Sequence, residues 1–168
     1  TLRRSSAASD VYKRQNLYTK AQRERRDATK WTVVQGILAP VQFVVFLVSL
    51  WCVLRYMTTG DDYDIATMSI VIKTLVLYVI MITGAIWEKT VFGQYLLAPA
   101  FFWEDVVSFV VIALHTLYLC LFFSNLADSV SLMVVALLAY FVYVINAMQF
   151  LWKLRWARHE LPLEVRHV

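Results

Sequence analysis

The chain has 168 residues, of which 60% are hydrophobic and only 17% charged, with a formal net charge of +4. A soluble domain of this size needs more charge to cover its surface, so composition excludes an ordinary soluble globular protein and points to a polytopic membrane protein. Residues 1–15, ending in "SSAASDVYKRQ", read as a translated sequencing adapter and carry four of the 16 basic residues and one of the 12 acidic ones. Without them the balance is 12 basic against 11 acidic residues, a net of +1, so the basic charge gives no reason to expect a nucleic-acid partner.

In chain order, residues 16–30 form a basic segment with Lys20, Arg23, Arg25, Arg26 and Lys30. A transmembrane domain over 31–153 follows, with spans predicted at about 31–57, 66–87, 101–123 and 130–152. Each is close to or above the roughly 20 residues that cross a ~30 Å hydrocarbon core. Residues 154–168 form a tail. The fold class expected is therefore an all-α membrane protein, a four-helix transmembrane bundle.

Lys and Arg are abundant in both terminal flanks and absent from "TTGDDYD" and "SNLADS". The bias predicts cytoplasmic termini. The connection Glu88 to Asp105 is then cytoplasmic too, and its apolar middle suits an interfacial or re-entrant segment. Arg55 and Lys73 fall in the outer half, where long cationic side chains snorkel or pair with Asp61, Asp62 and Asp64.

Polar groups gather in the other half: Glu88, Glu104, Asp105, Gln35, Asn146 and Gln149, with Gln42 deeper. Helical spacing puts Glu104, Ser108 and His115 on one face of the third span, with Asp105 turned about 100° away. Such stripes normally face the bundle interior. Each has a structural reading beside the functional one. Acids in a first helical turn suit the macrodipole, and Gln, Asn and Ser join helices by hydrogen bonds. Trp31, Trp87, Trp103 and Trp152 fit an interfacial aromatic belt.

Cys52 and Cys120 are isolated core residues rather than a disulfide framework. There is no Gly-rich phosphate loop, HExxH or CxxC motif, and only three histidines. Redox chemistry on a protein-held metal is therefore not expected. No inverted repeat or discontinuous helix pair supports transport.

Three stretches, "LYTKAQRERRDATKWTVVQGILAPVQFVVFLVSL", "KTLVLYVIMITGAIWEKTVFGQYLLAPAFFWEDVVSFVVIALHTLYL" and "YVINAMQFLWKLR", closely resemble the 2-vinyl bacteriochlorophyllide hydratases of photosynthetic bacteria. The resemblance covers roughly Leu17 to Arg158. It implies a hydro-lyase that adds water to the C3-vinyl group of chlorophyllide a or a bacteriochlorophyllide, in a bacterial inner membrane. It implies no added cofactor, because the magnesium belongs to the substrate. The partners expected are the pigment, the lipid bilayer and other pigment-synthesis enzymes.

Such a reaction delivers a proton to the terminal vinyl carbon, and a carboxyl in apolar, aromatic surroundings is suited to hold one. Glu104 is the first choice for that acid, with Asp105 or Glu88 accepting the proton from water or positioning it. Phe101, Phe102 and Trp103 are expected to cover the flat ring. The pigment site is expected to draw on Ser108, Gln35, Gln42, Asn146 and Gln149. His115 is expected to bind magnesium axially or to hydrogen-bond a ring substituent. The competing reading is a non-enzymatic four-helix protein that binds pigment or scaffolds an assembly.

Overall fold

The computed structural model describes residues 17–159. The adapter-like residues 1–15 and the tail from 160 onward lie outside the described residues. Among the described residues five helices follow one another: α1 (Lys20–Ala28), α2 (Lys30–Thr59), α3 (Tyr63–Phe92), α4 (Phe102–Phe123) and α5 (Ser129–His159). The described residues contain no strand. α2, α3, α4 and the Ser129–Arg155 part of α5 are long and apolar enough to cross a membrane.

Local chemistry explains the boundaries. Thr19 and Gln22 close a capping box at the start of α1. α2 ends at Gly60 and α3 at Gly93, both left-handed (φ 79° and 89°), a conformation glycine adopts without the steric cost of a Cβ. Asp128 accepts the backbone N–H groups of Val130 and Ser131 at the head of α5.

Two boundaries differ from the sequence expectation. α3 runs on to Phe92 rather than stopping at Trp87, because the chain has no breaker before Gly93. α5 likewise continues through residues 153–159, where charge marks the end of an apolar run but not of a helix. The connection between α3 and α4 is consequently only residues 93–101, and Glu88 and Asp105 are both helical.

The bundle is two helical hairpins, α2 with α3 and α4 with α5, which meet less extensively along α2–α5 and α3–α4. Phe46, Val53, Ile70, Val111, Tyr118, Met133 and Tyr140 form its core. Residues such as Ile37, Val44, Trp51, Met68, Ile82, Phe141 and Met148 are exposed on the outside. A surface this apolar has no favourable contact with water, and the molecule is a membrane protein.

At one end a second cluster ties α1 to the bundle. Tyr18 stacks on Phe92 (5.7 Å between ring centres), and Phe101 stacks on Phe150 (5.9 Å). The segment before α2, the 93–101 connection and the last turns of α5 thus share one end of the molecule.

Candidate active site

That end also holds the acids. Glu88, from the penultimate turn of α3, and Asp105, from the first turn of α4, are 5% and 3% exposed and interact directly through their carboxyl groups. The 93–101 connection folds over them. The Leu97 N–H donates to Asp105 Oδ2 (2.6 Å) and the Ala98 N–H to Glu88 Oε2 (3.4 Å). Leu97 makes this turn with φ 59°, a left-handed conformation unusual for a branched residue. Two carboxylates side by side repel one another, so their closeness and burial favour a proton on one of them.

Glu104, next in sequence, is held differently. Its Oε2 lies 2.5 Å from Lys153 Nζ of α5. Its backbone carbonyl accepts hydrogen bonds from Ser108 Oγ (2.8 Å) and Asn146 Nδ2 (2.9 Å), and Ser108 also donates to Asn146 Oδ1 (3.2 Å). This network fastens α4 to α5. Glu104, Ser108 and His115 are all buried, as their spacing predicts, but the Glu104 carboxylate is neutralised by an ion pair while Asp105 meets a second acid.

His115 lies about 15 Å further along α4. Its Nδ1 donates to the Val111 carbonyl (2.7 Å), which fixes the tautomer, and Nε2 faces Lys73 Nζ at 2.5 Å. Both ring nitrogens are engaged, so no lone pair of His115 points at an axial site on a magnesium pigment. Lys73 departs from expectation: it is fully buried, away from the acids between α2 and α3, and lies over the Tyr143 ring (4.3 Å). Its position on the α3 face turned toward α4 explains this, since the hydrocarbon side offers an amine no partner. Arg55 does pair with Asp62 (2.6 Å).

The other expected site residues divide. Gln35 Nε2 bonds Thr83 Oγ1 (2.7 Å). Gln42 is 2% exposed, and neither end of its amide has a partner among the described residues. Gln149 Oε1 is also buried and unpartnered there. Phe101 is buried, whereas Phe102 and Trp103 are 41% and 68% exposed, on the outer surface rather than over the acids. Trp152 is exposed too, but Trp87 turns inward and donates to Thr32 Oγ1 (2.9 Å).

Sequence reasoning missed Tyr18. It lies under the Arg26 guanidinium (4.9 Å), and burial pushes its phenol pKa up to about 12, with Glu88 among the charges nearby. No periodicity could reveal a tyrosine outside the spans folding back onto them. An apolar depression of about 370 Å³ between α2 and α3, bordered by Val48, Met68 and Ile72, lies at the opposite end.

The 2-vinyl bacteriochlorophyllide hydratase family profile matches residues 18–156. The chain belongs to the 2-vinyl bacteriochlorophyllide hydratase family. A 2-vinyl bacteriochlorophyllide hydratase of Rhodobacter capsulatus is 65% identical over 151 residues, 90% of this chain and 88% of that protein. One of Cereibacter sphaeroides is 65% identical over 145 residues, 86% of this chain and 90% of that protein. No solved structure matches. The family match begins at Tyr18, so it takes in the α1 segment and the acid cluster that the segment covers.

Proposed function

We propose that this protein is a hydro-lyase that adds water to the C3-vinyl group of chlorophyllide a or a bacteriochlorophyllide, giving a 1-hydroxyethyl group. The observation that carries the reading is the buried Glu88–Asp105 carboxyl pair, in a chain 65% identical to two proteins named for this activity. The pair is a held proton in an apolar setting, which vinyl hydration needs.

In this reading the pair protonates the terminal vinyl carbon, breaking the π bond and forming a C–H bond. The positive charge on the carbon next to the ring is shared by the macrocycle. Water bonds to that carbon, and its surplus proton goes to the carboxylate left behind, regenerating the acid. The Leu97 and Ala98 N–H groups stabilise that carboxylate while it is charged. Glu104, tied to Lys153, positions α4 against α5. Ser108 and Asn146 hold the same joint.

The flat pigment reaches the pair laterally from the bilayer, and the exposed rings of Phe102 and Trp103 offer it a surface on the way. Its magnesium travels with it, and no further cofactor takes part. In this reading the protein lies in a bacterial inner membrane, and the Lys and Arg bias supports an orientation with both termini and the acid end on the cytoplasmic side. Other pigment-synthesis enzymes supply and remove the pigment there.

The test is conversion. Membranes containing the full chain are given chlorophyllide a, and the pigment is examined for a mass gain of one water and a blue-shifted red band, since loss of the vinyl group shortens the conjugation. Pigment bound but unchanged by folded protein would replace the hydratase by a pigment-binding protein.

A further inference from the structure

Four residues at seven-residue intervals, Gln35, Gln42, Ser49 and Tyr56, give α2 one polar face along most of its length. Three of them join α2 to another helix. Gln35 bonds Thr83, Ser49 bonds both Ser69 (2.8 Å) and Tyr140 (2.6 Å), and Tyr56 bonds Ser129 (2.9 Å). Gln42 alone of the four has no partner among the described residues, although it is only 2% exposed.

Its place is fixed by its neighbours. One turn further on, Phe46 packs on Tyr143 (4.9 Å between ring centres), and the Tyr143 ring lies beneath Lys73 Nζ. The Gln35–Thr83 and Ser49–Ser69 pairs set the register of α2 on α3. Gln42 is midway between them, at the seam where the two hairpins meet. It is thus deeper in the bundle than the Glu88–Asp105 pair, on the core side of the Gln35–Thr83 bond. A primary amide has two donors and one acceptor oxygen, and leaving all of them unmatched costs several times what one hydrogen bond contributes. Buried amides in such positions are satisfied by small polar molecules that fit between helices, above all water.

We propose that Gln42 binds the water molecule that is added to the vinyl group. This rests on the hydratase reading and assigns it a site for the second substrate. An apolar seam admits little water, so the nucleophile must be held by a specific group. With the vinyl group between the two, protonation comes from the Glu88–Asp105 side. The oxygen of the water held by Gln42 bonds to the carbon beside the ring, and a second water molecule carries the surplus proton back to the carboxylate.

The full chain, in nanodiscs, is exposed to a short X-ray pulse. Hydroxyl radicals generated from bound water label the side chains beside it, and mass spectrometry reads the labels. Phe46 and Tyr143 should be labelled in the parent protein, and labelling should fall several-fold in Gln42→Leu while exposed Tyr95 is unchanged. The same variant should lose about tenfold or more in turnover, as expected when a reactant is no longer held in place, with pigment affinity unchanged. Gln42→Asn, which keeps an amide, should restore part of both and guards against a variant that fails to fold. Unlabelled Phe46 and Tyr143 in the parent protein, or full turnover by Gln42→Leu, would overturn the proposal. A parent protein that is labelled there but converts no pigment would overturn the hydratase reading and the role of this water with it, leaving only a buried hydration site.

Discussion

The carboxyl of Glu88 on α3 meets that of Asp105 on α4, and each accepts one N–H from the short connection that joins their helices. Three separate pieces of chain thereby build one acid site. Tyr18 packs in turn against Phe101, the last residue of the connection, at the same end of the bundle.

If that pair supplies the proton, Glu88→Gln and Asp105→Asn should each lower turnover by about 10²–10⁴-fold, the usual contribution of a positioned acid. Pigment binding, followed by the shift of its absorption band, should persist. Glu104→Gln should cost far less turnover, because Glu104 acts through an ion pair. Loss of activity confined to Glu104→Gln would reverse the assignment.

The Glu104–Lys153 pair is a joint between α4 and α5. Lys153→Met strands a buried carboxylate and should destabilise the bundle by about 3 kcal/mol, whereas adding Glu104→Gln should recover most of that loss. Thermal unfolding in detergent, taken round the double-mutant cycle, measures the coupling. Simple additivity would show that the pair contributes nothing.

Because both nitrogens of His115 are engaged by Val111 and Lys73, His115→Ala should affect binding of a magnesium pigment and of its metal-free analogue equally. It should also destabilise the protein more than Lys73→Met, since a buried amine left without its acceptor costs more than the neutral ring nitrogen that the methionine leaves unpaired. Selective loss of magnesium-pigment binding would restore an axial role.

Tyr18 gives a pH signature. Its folded-state pKa, pushed up to about 12 by burial, lies above its ordinary value of 10.0. Below pH 10 the phenol is neutral in both folded and unfolded chains. Between about pH 10 and 12 the unfolded chain loses this proton first, so the stability this residue contributes is lost as pH rises through that window. Tyr18→Phe should flatten the alkaline limb of a stability–pH curve; an unchanged limb would show that Tyr18 is not the group responsible.

Much of the fold is legible in residue order alone. Apolar runs such as Trp31 to Met57 are long enough to span a bilayer, and only helices satisfy their backbone there, so four helices follow from hydrophobicity and length. Resemblance in "GAIWEKTVFGQYLLAPAFFWED" indicates the family, and helical spacing places Glu104, Ser108 and His115 on one face. What spacing cannot supply is the partner across the bundle. Glu104 and Asp105 are adjacent in sequence, yet a rotation of about 100° sends one to Lys153 and the other to Glu88. Lys73 and His115, on different helices, meet only through the register of α3 on α4. Tyr18 reaches the acids because α1 folds back, and Gln42 is left without a partner because of what α3 and α5 present opposite it. Secondary structure depends on each segment's own chemistry, but an acid's role depends on which charge or amide the packing sets against it, and that only the tertiary structure decided.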